Sequence, residues 1–301
     1  GFPKRDGSVE NMGGFRVYEL NVTSRNWTLL GEPVVGTPGD KPLEDSYFGY
    51  TISTDYSGNV VAVGAPRSRN SIGSVFCFRL SNKGLWEQMG EEILAPGAKQ
   101  EDRFGYAVSL SSDGQILAVG QQSDHDLEGR VVVYQYGDGS WKELGQQIRG
   151  EAIDDKFGKH VSLSADGMTL VAGAKDHANL AGTGLVRTFR FNRTKDTWTR
   201  LGGTIKSKAV EFKPSRFAIT PDGNRIAMAT GKATIGQGYA EVYDYDGNDW
   251  QRVGGKIPAS EQTDKYGGSV EISGDGSRLL LSYATEDEGV VRIYRLKKRG
   301  G

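Results

Sequence analysis

Short apolar runs recur along the chain at a fixed spacing, each bounded by glycine. In one clear copy Val108 and Leu110 alternate with small residues, an Asp113-Gly114 pair follows, and residues 116–119 form an unbroken apolar stretch. Alternation predicts a strand with one covered face. Asp-Gly is a strong hairpin signal, and a short continuous apolar run predicts a strand covered on both faces. A loop then leads through glycine to a strand rich in Val and aromatic residues. Its copies are residues 15–20, 75–80, 131–136, 186–191, 240–245 and 291–296. A fourth strand opens on tryptophan and reaches glycine four residues later: Trp27/Gly31, Trp86/Gly90, Trp141/Gly145, Trp198/Gly202 and Trp250/Gly254.

These four strands, a to d, form one unit that repeats. The unit begins on an aromatic-Gly pair: Phe48-Gly49, Phe104-Gly105, Phe157-Gly158 and Tyr266-Gly267, with Lys213-Pro214 in the one degenerate copy. Successive anchors lie 53 or 56 residues apart. Four antiparallel strands, repeated, are the signature of β-propeller blades, and stacking around a ring buries the faces that a lone blade would expose. The sequence therefore predicts one all-β domain over residues 1–301, a β-propeller of four-stranded antiparallel blades. Units fall near 1–36 (partial), 37–95, 96–150, 151–206, 207–259 and 260–301 (partial). The first supplies only c and d, the last only a, b and c. Six blades are favoured by that phase, with five or seven also compatible. The first c–d hairpin is expected to pair beside the last unit or to occupy the adjacent blade position. The tryptophans are read as inter-blade packing.

The strings Phe48-Gly49 with Gly64-Ala65-Pro66, and Phe104-Gly105 with Val108-Ser109-Leu110-Ser111-Ser112-Asp113-Gly114, resemble the FG-GAP repeats of integrin α-subunit propellers. They are more similar still to the FG-GAP-like repeat proteins among predicted secreted proteins of diatoms and marine bacteria. The resemblance covers nearly the whole chain and implies a propeller with extracellular adhesion or ligand binding. Integrin repeats often carry calcium in an Asp-x-Asp-x-Asp-Gly loop between strands a and b. Here those turns read Ser-Ser-Asp-Gly, Ser-Ala-Asp-Gly, Thr-Pro-Asp-Gly or Ser-Gly-Asp-Gly. One carboxylate per turn cannot supply the six or more oxygens calcium takes, so the calcium sites are not carried over.

The net charge of −1 argues against a nucleic-acid partner, which calls for a basic face. No run of 18 apolar residues appears, so no transmembrane helix is predicted. Cys77 is the only cysteine, which excludes an internal disulfide. The chain opens Gly1-Phe2-Pro3 without a signal peptide, as expected of a mature form or a fragment. Nucleophile-elbow, zinc-protease and phosphate-loop motifs are all lacking, so no catalytic residue, cofactor or metal site is assigned. His160 lies in a strand a and is expected to line the channel. Asp124, His125, Asp126, Asp176 and His177 fall in b–c loops without a metal-ligand spacing, and are held as candidates for a ligand face. Asp102, Asp155 and Asp264 stand two residues before the anchor, with Glu211 in the degenerate unit and Asp45 one residue earlier in the first. They form either turn latches that accept backbone N–H groups or an acidic rim at the channel mouth. Asn21, Asn26 and Asn192 begin glycosylation sequons at c–d hairpins. The expectation is a non-enzymatic binding, adhesion or scaffold propeller, secreted or at the cell surface, with a protein or glycan ligand. The alternatives are a structural subunit of a larger assembly and a polysaccharide-active propeller enzyme.

Overall fold

A computed structural model describes residues 13–36, 46–97, 99–122, 128–152, 155–174, 185–206, 214–230, 239–258, 265–284 and 289–296. Six antiparallel sheets follow one another along the chain. The first holds β1 (Gly14–Asn21) and β2 (Asn26–Val35). The second holds β3 (Thr51–Thr54), β4 (Val60–Ala65), β5 (Ser74–Leu80) and β6 (Trp86–Gln88). The third holds β7 (Phe104–Leu110), β8 (Ile116–Gln121), β9 (Arg130–Gly137) and β10 (Ser140–Glu143), with the short β11 (Ile148–Arg149) also on β9. The fourth repeats this with β12 (His160–Leu163), β13 (Thr169–Ala174), β14 (Leu185–Asn192), β15 (Thr197–Arg200) and β16 (Ile205–Lys206). The fifth holds β17 (Pro214–Ile219), β18 (Arg225–Thr230), β19 (Tyr239–Tyr245) and β20 (Trp250–Pro258). The sixth holds β21 (Lys265–Ile272), β22 (Arg278–Ala284) and β23 (Gly289–Arg295). Helix among the described residues amounts to one four-residue turn at Ser68–Ser71.

Every sheet but the first opens on an a–b hairpin, so the described residues form five blades. The favoured sixth would need an a–b pair inside β1, and the two-stranded first sheet has none. That sheet stands against the second one, where a preceding blade would be. Among the described residues no strand pairing joins it to β23. The a strands β3, β7, β12, β17 and β21 neighbour one another in sequence order, which places them around the axis.

The core is a series of layers between blades. Strand b is buried along its whole length in β4, β8 and β13. Alternate residues point to opposite faces, so Val60 and Ala62 join the layer shared with the third sheet, while Val61, Val63 and Ala65 join the layer shared with the first. The anchor phenylalanines Phe48, Phe104 and Phe157 are fully buried, each worth about 1.5–3 kcal/mol of burial. The glycine after each phenylalanine permits a close approach of backbones. A Cβ on Gly105 would meet the Ser74 carbonyl, and one on Gly158 the Arg130 carbonyl, both on strand c of the preceding unit's end of the interface. Gly120 in strand b lies against the Gly158 carbonyl in the same way. In the fifth sheet, which lacks the aromatic-Gly pair, the Phe217 ring lies over Gly173 instead.

Two further ties recur from blade to blade. The indole N–H of four of the five d-strand tryptophans donates to a backbone carbonyl in or just after the preceding d strand: Trp86 to Leu30 (3.2 Å), Trp141 to Met89 (2.9 Å), Trp198 to Leu144 (2.8 Å) and Trp250 to Leu201 (3.0 Å). At the a–b turns, backbone N–H groups form a relay, Tyr56 to Ser112 (3.1 Å), Ser112 to Ala165 (2.8 Å) and Ala165 to Pro221 (2.9 Å). Pro221 has no N–H to pass on. Arg225 Nη1 spans to the next turn in its place, donating to the Gly276 carbonyl at 2.8 Å.

Candidate functional site

Strand a begins at the end of the propeller where the d–a and b–c loops emerge. Of the acids expected there, Asp102 and Asp155 are described, and both are buried. Asp155 Oδ2 accepts the backbone N–H groups of Glu151 (2.8 Å) and Ala152 (3.1 Å) in its own loop and faces Arg187 Nη1 at 3.4 Å. Arg187 comes from β14, is 1% exposed, lies over the Phe157 ring at 5.5 Å and also pairs with Glu151 at 2.8 Å. Asp102 Oδ2 accepts the Lys99 N–H at 2.7 Å. It shares a cleft of about 160 Å³ with Lys99, Gln121, Glu128, Arg130 and Arg149. Arg130 donates to Gln121 (2.8 Å), Gln147 (2.7 Å) and the Pro96 carbonyl (3.1 Å). Burial, then the neighbouring Arg149, pushes its pKa down, while Asp102 acts the other way. These acids hold their loops to the blade and meet arginines of strand c. Asp45, Glu211 and Asp264, and the loop candidates Asp124, His125, Asp126, Asp176 and His177, lie outside the described residues.

The accessible chemistry sits beside the aromatic-Gly anchor. Tyr50, Tyr106 and Lys159 each follow it by one residue, in three successive blades. The Tyr50 and Tyr106 rings lie 5.2 Å apart, and Lys159 Nζ lies 5.9 Å from the Tyr106 ring. Tyr47 extends the array, 6.2 Å from Tyr50, with the exposed Arg67 guanidinium over its ring at 4.4 Å. Tyr50 is 43% exposed. The result is an arc of phenol rings and two cations at the inner corner of the blades. Aromatic faces at such a site stack on flat or apolar ligand faces while the cations take anionic groups. None of these residues is among the candidates the sequence offers, which are carboxylates, histidines and sequon asparagines. The available signal was the side chain just after each anchor, a position that the repeat brings together across blades. Arg130 and Arg187 were missed because they lie in strands that read as apolar.

The remaining candidates are placed as follows. His160 is half-buried, its ring 6.3 Å from Phe217. Asn21 and Asn192 stand at the tips of c–d hairpins, where their Oδ1 atoms accept two backbone N–H groups each, and the exposed Asn26 opens β2. Cys77 is fully buried, and burial pushes its thiol pKa up, so it is no nucleophile. The Asp-Gly turns use their carboxylates internally. Asp113 accepts the Ser111 hydroxyl (2.6 Å) and the Gln115 N–H (2.9 Å), and Asp166 accepts Ser164 (2.6 Å) and the Met168 N–H (2.9 Å). Among the described residues no group of three or more His, Cys, Asp or Glu could hold a metal ion, and no helix is long and apolar enough to cross a membrane.

Sheet order, inner a strands and blade-to-blade layers define a β-propeller. The family model for the FG-GAP repeat matches residues 86–134, from the tryptophan of the second sheet to β9 of the third. The chain is thus a β-propeller that carries a match to the FG-GAP repeat over those residues. No curated protein is a significant relative of the sequence. Solved structures of similar fold include a protein from Lactobacillus plantarum (TM-score 0.61, 14% identity, covering 98% of this chain and 80% of that one). Kuenenia stuttgartiensis hydrazine synthase is also similar (TM-score 0.57, 14% identity, 87% and 66%), as is TolB from Acinetobacter baumannii (TM-score 0.50, 12% identity, 81% and 51%). The chain spans about two-thirds of the former's length and half of the latter's. At these identities the likeness is one of fold.

Proposed function

We propose that this chain is a non-enzymatic binding propeller, displayed outside the cell, that takes a protein or glycan ligand on the face carrying the d–a loops. The supporting observation is the arc of Tyr47, Tyr50, Tyr106, Arg67 and Lys159, which presents rings and cations where successive blades meet. A neutral ring pair flanked by cations favours a ligand with both flat apolar and anionic parts, such as an acidic glycan. The buried acids beside it serve the loops that carry the face.

Glycan and peptide arrays, scored for both binding and cleavage, test the reading. Binding without cleavage, reduced at least about tenfold by Tyr50→Ala and Lys159→Ala, is the expected result. Cleavage of any glycan would move the chain to the polysaccharide-active alternative. A second reading, a structural subunit of a larger assembly, is favoured by the apolar surface left open on the terminal sheets. Trp27 is 67% exposed, and Val291 and Ile293 are 62% and 69% exposed.

A further inference from the structure

Two buried arginines stand in strand c of successive sheets, and their charges are met in different ways. Arg187 of β14 faces Asp155 at 3.4 Å and Glu151 at 2.8 Å. Arg130 of β9 is 7% exposed, and each of its three nitrogens donates to a neutral oxygen: Nε to Gln121 Oε1 (2.8 Å), Nη1 to Gln147 Oε1 (2.7 Å) and Nη2 to the Pro96 carbonyl (3.1 Å). Its cross-strand neighbour is a second cation, since the β11–β9 register sets Arg149 opposite Arg130. In the fourth sheet the same register pairs Leu185 with Lys206, an apolar residue with a cation. Like charges directly opposed on a sheet destabilise it, and a buried cation is costly unless it is paired. The third sheet keeps an unfavourable pair that the fourth avoids, and three neutral oxygens hold the buried guanidinium in place.

Both arginines line the cleft of about 160 Å³ that opens between the d–a loop, which supplies Lys99 and Asp102, and the ends of β8 and β9. Its charged lining is three cations, Lys99, Arg130 and Arg149, against two acids, Asp102 and Glu128, which leaves one positive charge. Neither acid is among the hydrogen-bond acceptors of Arg130. Lys99 and Arg149 are exposed, so the cleft is reached from solvent on their side. A water takes about 30 Å³ of the liquid, so the space holds a few waters or one small oxyanion group. A guanidinium fork matches the two oxygens of a carboxylate, and one negative charge closes the local balance where a dianion would overshoot it. We propose that this cleft is a binding site for a carboxylate group of a ligand. Arg149 takes the carboxylate by its fork and Lys99 draws it in from solvent. Arg130, with two of its five N–H groups uncommitted, forms the floor. The site shares no residue with the aromatic arc and does not rest on it.

The test is thermal unfolding of the full chain at neutral pH and constant ionic strength, with sodium D-glucuronate replacing sodium chloride. A ligand that binds only the folded state raises the melting temperature, and a rise of about 2 °C at about 100 mM glucuronate is expected. D-glucose should give no rise and sodium sulfate a smaller one. Arg149→Gln should abolish the glucuronate effect. In chloride alone this variant should melt at or above the parent, because it removes one of two opposed cations. Lys142→Gln makes the same charge change at a residue 65% exposed beside the c–d hairpin, and should keep the full rise. A rise in glucuronate no larger than in glucose overturns the proposal, as does one that survives Arg149→Gln or is lost in Lys142→Gln. A rise in sulfate equal to or above that in glucuronate overturns the assignment to a carboxylate. If Arg149→Gln melts below the parent in chloride, the arginine is structural and the proposal fails.

Discussion

Trp198 and Trp27 occupy the same place in two copies of one repeat, and their surroundings differ almost completely. Trp198 is 3% exposed, donates its indole N–H to Leu144 and packs 5.2 Å from Phe191 over Gly145. Trp27 is 67% exposed. Nothing local distinguishes them, since both open strand d and both precede a positive-φ glycine, Gly31 and Gly202. The difference lies in the neighbour: Trp198 has a preceding d strand to lean on. Interfaces in this fold belong to pairs of units, so a unit at an end keeps its sequence and loses half its burial.

Glycines sharpen the same contrast and give the largest expected effect. Gly120 needs no special φ; a side chain there meets the Gly158 carbonyl, backbone that cannot swing aside. Gly120→Val should cost on the order of 4–5 kcal/mol or prevent folding. Gly254→Ala enters open space and should cost only about 1 kcal/mol, from the left-handed backbone. Urea unfolding of both variants checks the ranking, and equal losses would refute the close-approach account. Next in size, Trp198→Ala should cost about 3–5 kcal/mol, as for other buried aromatics. Trp27→Ala should stay within about 0.5 kcal/mol of the parent. A sharp loss from Trp27→Ala would mean that the first sheet finds a covering partner in solution.

The fold was legible because the repeat overdetermines it. Phe104-Gly105, Asp113-Gly114 and Trp141/Gly145 each state one contact, and five or so copies make accident implausible. Blade number was harder to read, since it depends on how β1 and β23 are met by other chain, which no residue in either strand records. The site was least legible. For Asp155 the sequence leaves a turn latch and an acidic rim both open, because it sits in a loop among charged residues. Only the fold brings the apolar-looking β14 and its Arg187 beneath it. Tyr50 and Lys159 look unrelated 109 positions apart, and become members of one arc when three successive strands a stand side by side.

Asp155→Asn tests whether that buried acid is structural. It removes the charge facing a 1% exposed guanidinium, leaving Glu151 as its remaining acid at 2.8 Å. A loss of about 3 kcal/mol is expected, in the range for breaking a buried ion pair from one side. Asp102→Asn should cost less, because Arg130 keeps its bonds to Gln121, Gln147 and Pro96. If Asp155→Asn melts with the parent and only salt-dependent ligand binding falls, the acid belongs to the binding face and not to the latch.

The smallest effect is expected at the exposed turn of the last blade. Asp275 accepts the Ser273 hydroxyl (2.6 Å), the Ser277 N–H (3.0 Å) and the Ser277 hydroxyl (2.8 Å). The Ser273 hydroxyl first, then the Ser277 donors, hold its carboxyl well below the usual carboxylate range. A carboxylate whose folded pKa is depressed binds its proton more weakly in the folded than in the unfolded chain. Its stabilisation is therefore fully present above the ordinary aspartate value of about 3.9 and is lost as pH falls through the folded value. Asp275→Asn should melt slightly below the parent at pH 7. Its deficit should shrink as the pH drops below about 4, where the carboxylate of the unfolded chain takes up a proton while that of the folded chain is still ionised. Melting temperatures of the two proteins from pH 7 to pH 2 measure the difference. A gap that stays constant across that range would show that the turn is held by its backbone conformation, with the carboxylate contributing nothing that titrates.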